Sequence, residues 1–63
     1  MMSNNTGLIE MRDNLRKASD IIDEVLELEK REEDGVDVEE EYEALMGRFI
    51  MIMIKTSKIA ENL

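Results

Sequence analysis

Glu39, Glu40 and Glu43 are the side chains of this 63-residue sequence whose types and spacing come nearest to chemistry. On a helix they fall within about one turn and a half, and carboxylate oxygens are the donors that hold Mg2+ in an octahedral array. Such a site takes further oxygen ligands from a second segment, and after Glu43 the only carboxylate side chain is Glu61. With no Cys and no His, the sequence has no thiolate or imidazole to bind a metal or to act as nucleophile or base. Ser19 and Ser57 have no base close in sequence. The residues point away from an enzyme, and no metal or cofactor is expected. Electrostatic work is the other use for Glu39, Glu40 and Glu43, either as a solvated helix start or as an acidic docking site for a basic partner.

Charge placement narrows the partners. Residues 1–31 carry seven acids and five bases, 32–43 carry eight acids and no base, and 44–63 carry one acid and three bases. The net charge of −8 therefore resides in one short segment. Binding to phosphate backbones needs clustered Lys and Arg, so nucleic acid is not an expected partner. Met1 to Thr6 is polar and lacks the basic-then-apolar order of a signal peptide. The longest apolar run is six residues, against about 20 for a membrane span. A soluble, cytoplasmic protein is expected; the lack of Cys agrees with that compartment.

The elements that must position these groups are two helices. Leu8, Met11, Leu15, Ala18, Ile22 and Val25 alternate steps of three and four, the spacing of an interhelical seam. Asn5 or Thr6 can cap the start, and the spacing predicts a helix over about 7–32. Val38, Tyr42, Leu45, Phe49, Ile52, Thr56, Ile59 and Leu63 repeat the pattern and predict a second helix over about 38–61. Asp37 with Glu40 fits an acidic capping box, and Gly35 in the turn 33–37 can take the left-handed conformation that ends a helix. So short a turn makes the helices antiparallel neighbours. The expected fold is an all-α, single-domain, two-helix hairpin with Leu15, Leu45, Phe49 and Ile52 in its core.

Phe49 to Ile54 is the run that a hairpin cannot bury. Six consecutive apolar residues point all round a helix, whereas a surface helix needs one stripe. Met46, Ile50, Met51, Met53 and Ile54 lie off the seam and are the candidate partner or dimer interface. The simplest cover is a second copy, giving a homodimeric four-helix bundle; the other is a foreign protein.

Several resemblances attach to these residues. Glu39, Glu40 and Glu43 are similar to the first half of the magnesium motif of all-helical nucleotide pyrophosphohydrolases, whose second acidic pair is missing here. Lys30 to Glu41 has Gly35 and Glu41 where a calcium-binding EF-hand loop puts its glycine and bidentate glutamate, but Lys30 stands at the first ligand position and Asp37 at the apolar anchor. Leu15-Arg16, Ile22-Asp23 and Val25-Leu26 faintly resemble the first helix of helical chorismate mutases; the second helix does not continue that pattern. In architecture the hairpin resembles Rop, a dimeric RNA-binding regulator, although Arg12, Arg16 and Lys17 are interspersed with Asp13 and Asp20 where an RNA face would be basic. In size and composition the chain resembles small phage proteins that bind and inhibit a host protein, such as a helicase loader or a defence factor. That resemblance implies a non-enzymatic inhibitor acting on an unidentified host protein in the host cytoplasm, with a Rop-like RNA binder as the alternative.

Overall fold

A computed structural model describes residues 5–63, which form helix α1, Asn5–Glu33, and helix α2, Glu39–Glu61. The two run antiparallel as a hairpin 53 Å long. Helix α1 already contains Asn5 and Thr6, so neither precedes it as a cap; the position before Asn5 lies outside the described residues.

The turn is closed by backbone bonds that the sequence dictates. Gly35 takes φ of 89°, which a residue with a Cβ adopts only at a cost. That geometry lets the Gly35 N–H donate to the Glu32 carbonyl at 2.9 Å and the Val36 N–H donate to the Arg31 carbonyl at 3.0 Å. Two of the orphan carbonyls at the end of α1 are thereby satisfied, in the pairing of a Schellman motif. The expected capping box is replaced by a looser device. Val38 is the N-cap of α2, and Asp37 Oδ1 accepts from the Glu39 N–H at 3.1 Å. Among the described residues no hydrogen bond returns from the Glu40 side chain to Asp37. Asp37 caps from one residue outside the helix because Val38, with its apolar side chain, is drawn into the core.

The core is one seam between the helices. Ile21 and Leu28 of α1 are buried against Val38 and Leu45, with Val25, Phe49 and Ile52 packed around them. Ala18 and Thr56 are also buried. Thr56 is accommodated without an orphaned polar atom, since its hydroxyl donates to the Ile52 carbonyl at 2.8 Å. At the far end Gly7 lets the helices approach closely: a Cβ there would lie 3.0 Å from Leu63 Cδ2.

On α1 this seam corrects the sequence reading. Leu15, expected in the core, keeps 47% of its surface exposed, while Ile22 keeps 49% and Leu8 is likewise exposed. Gly7, Asn14, Ile21 and Leu28 alternate with Met11, Ala18 and Val25 along the contact instead. Turning α1 by this much sets its small residues Gly7 and Ala18 on the contact with α2. It leaves Leu8, Leu15 and Ile22 on the flank while Ile21 and Leu28 stay in the seam.

Candidate interaction surface

Both helices display exposed apolar side chains on one broad face of the hairpin. On α1, Ile22 follows the buried Ile21 by one residue, about 100° of rotation, and Leu8 and Leu15 precede it at seven-residue intervals. On α2, Met46 follows the buried Leu45 and Met53 follows Ile52 in the same way. Because the helices are antiparallel, a one-residue advance on either turns towards the same side. The cleft between Ile22 and Leu26 of α1 and Met46 and Phe49 of α2 shows this directly: about 150 Å3, floored by Ile21 and Val25 and lined by apolar residues alone.

The opposite broad face is charged. Near the turn it carries Glu24, Glu27, Arg31 and Glu41, with Arg31 Nη2 donating to Glu41 Oε2 at 3.1 Å across the helices. Towards the other end it carries Glu10, Asp13 and Lys17 with Lys55 and Lys58. The three lysines do not form an unbroken basic surface, because carboxylates alternate with them. The hairpin is therefore amphipathic as a unit.

The sequence-derived interface residues divide among three places. Met46 is half-buried at the edge of the apolar cleft, which Ile22 and Leu26 also line. Met53 sits on the same broad face, with Ile50 at its outer margin. Met51 precedes Ile52 and so turns to the other flank, in a shallow groove with Ala44, Gly47, Arg48 and Lys55. Gly47, Ile50, Met51 and Ile54 recur in steps of three, one and three, the outer ridge of α2. Among the described residues nothing covers that ridge: Ile50 and Met51 remain 53% and 55% exposed. Leu8, Leu15 and Ile22, read from the sequence as part of the hairpin seam, are exposed on this face, with Leu26 exposed beside them. The seven-residue spacing of the first three marks a stripe that lies beside the contact with α2 and not on it.

Glu39, Glu40 and Glu43 are exposed on the first turns of α2, where they complement the positive end of the helix dipole. The carboxylate that reaches α1 is Glu41, which is outside the acidic docking set of Glu39, Glu40 and Glu43. Among the described residues no three Asp or Glu side chains are grouped to hold a metal ion. No described helix is long and apolar enough to cross a membrane. Comparison with family models, with curated proteins and with solved structures finds no match to this chain.

Proposed function

We propose that this chain is a small, non-enzymatic protein-interaction module that self-associates into a four-helix bundle and blocks a partner protein by occupying its surface. The observation that carries this reading is the double exposure of apolar residues: a broad face on both helices and a separate ridge on α2. Each fully buried side chain of this size contributes about 1.5–3 kcal/mol, so a small domain gains much by covering such surfaces. The broad face suits self-association. The ridge of Gly47, Ile50, Met51 and Ile54 stays outside such a bundle and is the contact for the partner, with Met51 able to repack against an irregular surface. The acidic turn and the start of α2 steer a basic partner towards the ridge. This is the working mode of the small phage inhibitors that the chain resembles in size and composition, acting in the host cytoplasm on a replication or defence factor.

Affinity capture with wild-type and Met51→Lys protein, with masses checked by light scattering, tests the reading. The wild type is expected to retain a specific protein that Met51→Lys loses while both show the same oligomeric mass. A partner held equally by both would remove the ridge from the proposal. The Rop-like alternative requires paired RNA hairpins to be retarded in a gel at low salt. The alternation of Glu10 and Asp13 with Lys17, Lys55 and Lys58 leads us to expect no retardation.

A further inference from the structure

We infer that the occupant of the broad apolar face is a second copy of this chain lying tail to tail, with the two acidic turns at opposite ends of the bundle; this rests on the self-association proposed above and fixes its geometry.

A symmetric pair of hairpins stacked face to face has two solutions. The two-fold axis runs along the helices, bringing both turns to one end, or across them, sending the turns to opposite ends. Size permits either. The hairpin outline of 53 by 14 Å encloses roughly 740 Å2, close to the ~800 Å2 per partner of a stable interface.

Charge separates the two solutions. The eight acids of residues 32–43 surround the turn, and among these side chains only Glu41 meets a cation, Arg31. Turns at the same end would face each other across about one interhelical spacing of 8–10 Å, close to the Debye length of about 8 Å in physiological salt. Turns at opposite ends stand about 50 Å apart, several Debye lengths, where their repulsion is screened away.

The pattern on α1 points the same way. An axis across the helices lays α1 antiparallel against its own copy, and an isologous contact of that kind must read the same in both directions. The middle of the exposed flank of α1 does: Leu15 and Ile22, both about half exposed, are equidistant from a point between positions 18 and 19. An axis at that point sets Leu15 of one copy against Ile22 of the other, with the exposed Ser19 beside the axis.

The absence of Cys makes single-cysteine labelling clean. Full-length Asp34→Cys protein, spin-labelled and measured by pulsed dipolar spectroscopy, is expected to give an intermolecular distance of about 50 Å. Ser19→Cys protein is expected to oxidise to a covalent dimer, since residue 19 meets its own copy beside the axis. A dimer by light scattering with a short Asp34 distance and no Ser19 cross-link would overturn the orientation and leave self-association standing. A monomer at micromolar concentration would overturn both.

Discussion

Ile21 and Ile22 are chemically identical and adjacent, yet one is 2% exposed in the hairpin seam and the other 49% exposed on the flank. Truncation should separate them. Ile21→Ala removes a fully buried side chain and is expected to cost about 2–5 kcal/mol in a urea melt, enough to unfold much of so small a domain. Ile22→Ala is expected to leave the helical signal at high protein concentration and to weaken association, read as a lower dimer mass on dilution. The glycines make a second contrast. Gly47 sits mid-helix with open space around the position of a Cβ, so Gly47→Ala should raise stability by about 0.5–1 kcal/mol through helix propensity. Gly35→Ala also meets no neighbour, but its φ of 89° is strained for any L side chain. A loss of about 1–2 kcal/mol is expected there. Opposite shifts of the denaturation midpoint check the pair; a gain at both positions would contradict the turn geometry.

At the scale of elements, the cap on α2 is testable because its donor and acceptor are named. Asp37→Ala withdraws the acceptor from the Glu39 N–H and the negative charge from the helix start, with an expected loss of about 0.5–2 kcal/mol. Asp37→Asn keeps the acceptor and should lose less; equal losses would mean that charge, not the hydrogen bond, is what matters. How much was legible in the sequence follows element boundaries closely. The hairpin, the left-handed Gly35 and the seam of α2 from Val38 through Leu45, Ile52 and Thr56 all follow from spacing and turn chemistry. The seam of α1 did not. Hydropathy follows Leu8, Leu15 and Ile22, whereas the contact uses Gly7 and Asn14, residues that no apolar pattern selects. An apolar stripe is set by everything a helix will bury, and a helix with two neighbours centres it between them. The α1 stripe is offset from the α2 contact by about 60° at 100° per residue, the offset that the second neighbour proposed above would leave. The same reasoning explains why the interface residues on α2 split: a run apolar all round feeds the seam, the broad face and the outer ridge at once.

The whole molecule carries its charge in a way that gives salt an unusual sign. Among the described residues three ion pairs form, Arg12 with Asp13, Lys30 with Glu27 and Arg31 with Glu41, and all are about half exposed or more. Pairs of that kind are each worth at most about 1 kcal/mol, and salt weakens them. Against them stands the turn-end segment, where eight carboxylates occur within twelve residues. Repulsion there acts on the folded state, which holds the end of α1 and the start of α2 side by side, and salt relieves it. Sodium chloride raised from 10 mM to 1 M shortens the Debye length from about 30 Å to about 3 Å. Repulsion outnumbers attraction, so the melting temperature is expected to rise with salt. Salt also strengthens apolar burial, and a charge-reduced control separates the two causes. The triple variant Glu33→Gln, Asp34→Asn, Glu40→Gln keeps the apolar faces and the Arg31–Glu41 pair while removing three of the eight charges. Its melting temperature at 10 mM salt should lie above that of the wild type, and its response to salt should be shallower. An unchanged salt response would assign the effect to apolar burial alone. It would also remove the electrostatic reason for holding the two turns apart, leaving the symmetric placing of Leu15 and Ile22 on α1 to support that arrangement by itself.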